Sequence, residues 1–218
     1  MGRNYRLVVF DWDGTLLDSA GAIVASMQAA ALDIGRAPPD ESAARQVIGL
    51  GLHDALSRAL PAAPSSEYSR IAERYRHHYL SRDRELSLFP GAEMLVRELH
   101  GAGYLLGVAT GKSRLGLNRA LDASGLKEFF HATRCADECN SKPAPDMLLE
   151  IMQELEAEAG ETLMIGDTTH DIQMARNAGV AALAVGFGAH PRETLQAEQP
   201  LQLLDGFEQL TAWLRRNG

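Results

Sequence analysis

Four short stretches of the sequence place chemistry-bearing residues at the carboxyl ends of apolar runs. In the first, LVVFDWDGTLLDS, Asp11 and Asp13 stand one residue apart directly after Leu7–Phe10. Two carboxylates so close repel unless a cation lies between them or one keeps a proton. In strand-like geometry both would project to one side and converge on one small volume. In the second stretch, Thr110-Gly111-Lys112-Ser113 offers a hydroxyl and a glycine whose N–H can approach an anion, just ahead of a helix start. In the third, Lys142 lies in SKPAPD, where Pro143 and Pro145 restrict the backbone and hold the lysine in a defined place. In the fourth, TLMIG runs into Asp167, and Asp171 follows four residues later. Each stretch has a plain structural alternative: a turn, a helix entry, a surface loop and a helix cap, respectively. Taken together, in this order, they spell the chemistry of a phosphoryl group held by a divalent metal. Hard oxygens suit Mg2+, a lysine and backbone N–H groups neutralise phosphate oxygens, and one carboxylate is free to attack phosphorus.

The elements that must position these groups follow from periodicity. Leu7–Phe10 is apolar at every position, as a strand covered on both faces of a parallel sheet must be. Further strands are expected over residues 104–110, 129–135, 162–166 and 181–185, with helices over 93–100, 113–124, 146–157, 170–178 and 206–213. Such alternation predicts an α/β fold with a doubly wound parallel sheet, a Rossmann-like core. Open sheets of this kind bind ligands at the carboxyl ends of their strands, where all four stretches fall. Between Glu41 and about Glu85 only helical periods occur, over 41–48, 52–60 and 65–81, preceded by one over 20–32. This interval reads as a helical insert following the first strand.

Composition narrows the function classes. A net charge of −8 and a pI near 5.4 disfavour nucleic acid or an anionic membrane as the main partner. No window of about 20 apolar residues spans a bilayer, and the N-terminus has no signal-peptide character, so a cytoplasmic location is expected. Cys135 and Cys139, spaced C-x3-C with no second pair, read as reduced thiols, with metal or disulfide chemistry the alternative. Arg70, Arg74, Arg76, Arg82 and Arg84 read as a solvated helix face, the alternatives being a carboxylate clamp or an RNA contact.

On these four stretches the chain resembles the haloacid-dehalogenase-superfamily phosphatases, in particular the subgroup similar to phosphoglycolate phosphatases. The resemblance implies that Asp11 is the nucleophile and becomes an aspartyl phosphate. It makes Asp13 the acid that protonates the leaving alcohol and the base that then activates water. It implies a Mg2+ site from Asp11, the Asp13 backbone carbonyl and Asp167, with Asp171 bound directly or through water. Thr110, Gly111 and Lys142 would hold the phosphoryl oxygens. It divides the chain into a catalytic core, residues 1–17 and 89–218, and a small α-helical cap, residues 18–88, with Ile48-Gly49-Leu50-Gly51-Leu52 as a substrate-facing loop. Trp12 would flank the site, and the polar stretch 186–198 would shape the pocket rim. The expected partner is a small phosphorylated metabolite, bound by a monomer or homodimer. Two alternatives remain at this point, a phosphomutase on the same scaffold and a non-catalytic module that only holds metal or phosphate. A carbon–halogen displacement would have no need of Asp13.

Overall fold

The computed structural model describes residues 4–217, the Arg84 side chain excepted. The expected places of residues 1–3 and 218 in the core, and of the Arg84 side chain on a helix face, lie outside the described residues. Six strands, β1 (Leu7–Phe10), β2 (Leu105–Thr110), β3 (Ala132–Cys135), β4 (Thr162–Gly166), β5 (Ala181–Val185) and β6 (Gln202–Leu204), form one sheet. All pairings are parallel and the order is β3-β2-β1-β4-β5-β6. β1 is central: Phe10 lies opposite Val108 of β2 on one side and Ile165 of β4 on the other.

The unbroken apolar run of β1 follows from cover on both faces. Val8 and Phe10 enter one apolar cluster with Leu95, Leu117 and Trp213, while Leu7 and Val9 enter another with Ile151, Met164 and Ile172. Four helices come next after β1: α1 (Ala20–Asp33), α2 (Glu41–Gln46), α3 (Leu52–Ala59) and α4 (Tyr68–Arg82). They pack on one another around a third cluster that includes Ile23, Met27, Leu56, Ile71 and Tyr79, with Ala189 of the sheet layer reaching into it. The remaining helices, α5 (Ala92–Gly101), α6 (Arg114–Ser124), α7 (Asp146–Glu154), α8 (Thr169–Asn177), α9 (Arg192–Ala197) and α10 (Phe207–Asn217), flank the sheet.

The fold is the expected α/β doubly wound parallel sheet with helices inserted after its first strand. Two elements differ from expectation. Within the stretch 186–198, residues 192–197 form α9, and an edge strand, β6, follows it. The strand expected over 129–135 begins only at Ala132, since Lys127–Phe129 is a 3-10 turn. Both differences involve elements of three to six residues, too short to set up a hydrophobic period.

Candidate active site

The Asp11 N–H still donates to the Ile165 carbonyl of β4 at 2.9 Å, so strand pairing carries its carboxylate to the carboxyl edge of the sheet. β4 ends next to it and delivers Asp167. Thr168 then caps α8, accepting from the Asp171 N–H, while Asp171 Oδ2 accepts from the Thr168 N–H at 3.0 Å and from its hydroxyl at 2.7 Å. Oxygens of Asp11, Asp167 and Asp171 all lie within 4.8 Å of one another, fully buried. Lys142 Nζ reaches between two of these acids, donating to Asp11 Oδ1 at 2.7 Å and to Asp171 Oδ1 at 2.6 Å. Asp167 is oriented by the Thr15 hydroxyl at 2.8 Å and the Ala189 N–H at 2.7 Å. Gly14, at φ 84°, turns the chain against this carboxylate, and a Cβ there would overlap it.

Burial raises the Asp11 pKa well above the ordinary carboxylate range; the Lys142 charge opposes this, and the Asp171 and Asp167 charges add to it. Burial also raises Asp167, with Asp171 contributing in the same direction. For Lys142 burial works against the ammonium, yet Asp11 and Asp171 outweigh it and hold the pKa above the usual lysine value. With all three acids ionised, three carboxylates and one ammonium would leave a net of two negative charges in a closed space. Asp11 Oδ2 is buried and has no hydrogen-bond partner. An orphaned carboxylate oxygen beside two uncompensated charges is the environment that a hard divalent cation relieves, so these residues fit such an ion.

Asp13 stands apart from that group. It is not among the acids whose oxygens cluster within 4.8 Å. Asp13 Oδ1 instead accepts from the Ser19 hydroxyl at 2.7 Å and meets Lys112 Nζ at 3.0 Å, so the cation beside this carboxylate is a lysine. Lys112 also donates to the Tyr79 hydroxyl of α4 at 2.8 Å, tying the inserted helices to the sheet. Thr110 is fully buried at the end of β2, where its Oγ1 accepts from the Lys112 N–H at 3.2 Å. Trp12 departs from expectation too: it turns into the apolar cluster under the sheet and meets Phe130 edge-on, with its Nε1 unpartnered, and does not flank the site.

The inserted helices close over this edge of the sheet through the loop after α2. The Gly51 N–H donates to Ser141 Oγ at 2.8 Å. A Cβ on Gly111 would lie 2.5 Å from the Leu50 carbonyl and 2.6 Å from that of Gly49, so only glycine permits this approach. Both His170 and His190 place Nε2 on the Gln46 carbonyl, at 2.9 and 3.3 Å. Between insert and sheet lies a cavity of about 550 Å³ lined by Asp13, Gly111, Lys112 and residues of the 48–52 loop.

The arginines divide. Arg74 pairs with Asp33 at 2.6 Å, Arg82 donates to the His78 carbonyl, Arg70 faces solvent and Arg76 lines the cavity. Cys135 and Cys139 are free, and burial pushes their thiols up to about 12 and about 11. No helix among the described residues is long and apolar enough to cross a membrane. Thr15, Ser19, Tyr79, Ala189 and His190 were not apparent from sequence, because each acts through a contact that depends on the fold. Thr15 alone offered a local sign, as a hydroxyl directly after Asp-Gly.

Comparison with known proteins adds independent weight to the fold. The chain is 37% identical over 210 residues to the probable phosphatase IndB of Dickeya dadantii, covering 94% of this chain and 91% of that one. It is 29% identical over 217 residues to the phosphoglycolate phosphatase of Vibrio parahaemolyticus, covering 95% of each. The crystal structure of a hydrolase from Pseudomonas syringae superposes with a TM-score of 0.88 at 24% identity, covering 97% of this chain and 98% of that one. Residues 8–185 match the haloacid dehalogenase-like hydrolase family, and with the carboxylate cluster at the end of β1 and β4 they show that the chain belongs to it.

Proposed function

We propose that this protein is a Mg2+-dependent phosphomonoesterase that works through a phosphorylated Asp11. The observation that carries this reading is the buried, unpartnered Asp11 Oδ2 in a cluster that, with its acids ionised, lacks two positive charges for balance. Asp11, Asp167 and Asp171, with the Asp13 backbone carbonyl, would hold the metal. When bound, Mg2+ offsets the charge of these acids and of an incoming phosphoryl group.

The chain's own residues supply the rest. Lys142, the Thr110 hydroxyl and the Gly111 N–H hold phosphoryl oxygens at the ends of β2 and β3. A carboxylate oxygen of Asp11 attacks phosphorus, the P–O bond to the alcohol breaks, and Asp13 gives its proton to the departing oxygen. Asp13 then takes a proton from the water that frees phosphate from Asp11. Ser19 and Lys112 fix the orientation of Asp13 for both half-reactions.

Residues 18–88 act as a cap and residues 1–17 with 89–218 as the catalytic core. The closed arrangement of the 48–52 loop on Gly111 and Ser141 keeps bulk water away while the ester reacts. Similarity to a phosphoglycolate phosphatase and to a probable phosphatase supports a small phosphorylated metabolite as substrate.

The test is phosphate release from p-nitrophenyl phosphate, expected with Mg2+ and absent in EDTA, with a phosphorylated Asp11 peptide recovered after acid quench. Normal turnover by Asp11→Asn would remove Asp11 as nucleophile.

A further inference from the structure

The cavity that ends at Asp13 is larger and more apolar than a two-carbon acid needs. At about 550 Å³ it falls in the range that encloses drug-sized ligands. The wall built by the inserted helices is apolar, with Ile23, Met27, Leu50 and Tyr75 on it. Tyr75 stacks on Tyr79 at 5.9 Å between ring centroids and 23° between planes. Leu80 of α4 and Leu115 of α6 also line the cavity, although 45% and 75% of their surfaces meet solvent. Water-facing apolar surface at a pocket mouth is unfavourable until something apolar covers it.

Charge on the walls cancels, with Asp13, Asp54 and Asp137 against Lys112, Arg76 and Arg119. Lys112 is already engaged by Asp13 and Tyr79, and Arg119 by Asp83 at 3.0 Å. A carboxylate on the leaving group would therefore be left with the exposed Arg76 of α4, since Lys112 beside Asp13 is already engaged, whereas an uncharged body would meet mostly carbon.

We propose that the preferred substrate is the phosphate ester of an alcohol with an uncharged, mainly apolar body that reaches from Asp13 to Leu80 and Leu115. This rests on the phosphomonoesterase reading above.

Binding and turnover together separate the two ideas. Calorimetry in Mg2+ compares naphthylethylphosphonate, propylphosphonate and carboxyethylphosphonate, which are isosteric with naphthylmethyl phosphate, ethyl phosphate and phosphoglycolate. The naphthyl compound should bind at least about tenfold more tightly than the other two, and its ester should show a similar advantage in kcat/KM, chiefly through KM. Leu80→Asp, a change at a half-exposed position, should remove most of that advantage. Equal affinities, a preference for the carboxylate, or an advantage untouched by Leu80→Asp would overturn the proposed substrate class even if every ester released phosphate. Tight binding of the naphthyl phosphonate with no phosphate released from any ester would instead sink the esterase reading and leave the preference of the cavity standing.

Discussion

Lys142 Nζ donates to Asp11 Oδ1 at 2.7 Å, joining two wholly buried side chains 131 positions apart in the chain. This contact fixes opposite outcomes for its two partners. Lys142→Met leaves Asp11 and Asp171 facing each other without their cation and should lower stability in EDTA by about 3 kcal/mol, a deficit that Mg2+ reduces. Asp11→Asn removes a charge that burial disfavours and should raise the melting temperature in EDTA while abolishing turnover. Thermal unfolding of both variants with and without metal checks this, and a fall in stability for Asp11→Asn would contradict it.

Metal affinity should depend on pH in one direction. Asp11 and Asp167 have raised pKa values, so in the metal-free protein their stabilising contribution is present below the ordinary carboxylate range. It is lost as pH rises through the raised values. Mg2+ takes only the ionised acids, so its affinity should increase over that same window and its binding should expel protons. The rise in melting temperature on adding Mg2+ should be larger at about pH 8 than at about pH 5. Calorimetry in two buffers of different ionisation enthalpy would count the protons.

Gly111 sets how closely the insert can seat. Gly111→Ala places a methyl against the Leu50 and Gly49 carbonyls and should hold the loop off the sheet. The expected result is a loss of about tenfold or more in kcat/KM with little change in melting temperature. Hydrogen exchange at the Gly51 amide, bonded to Ser141 here, should quicken in parallel.

The contact of Tyr79 with Lys112 should matter to chemistry more than to binding. Tyr79→Phe keeps the ring but loses one hydrogen bond to the ammonium, a difference of about 1 kcal/mol or several-fold in kcat. Lys112→Met also strips Asp13 of its cation and should cost about a hundredfold. Steady-state kinetics with one ester would show whether the losses fall on kcat; a loss confined to KM would refute a role in orienting Asp13.

Much of this was legible in the chain. Leu7–Phe10 announced a two-sided strand, and apolar runs ending at Thr110 and Asp167 located two more strand ends. Lys142 and Asp171 could be placed at the same edge because each followed a strand in order. Spacing could not show where Asp13 points, since its direction is set by the turn at Gly14 and by Lys112, which arrives from the next strand. Tyr79 was hidden for a similar reason: on α4 it reads as one more core aromatic, and only docking of the insert brings it to Lys112. β6 and α9 escaped because three and six residues hold too little periodicity to rise above their polar surroundings.

The parallel register of β1 bears on how the polypeptide is made. Leu7–Phe10 leaves the ribosome before either of its two neighbours, Leu105–Thr110 and Thr162–Gly166. This apolar strand must wait while about 95 further residues are synthesised for its first partner and about 150 for its second. The inserted helices, whose contacts with one another are local by comparison, can assemble during that interval, so vectorial translation favours these helices before the sheet.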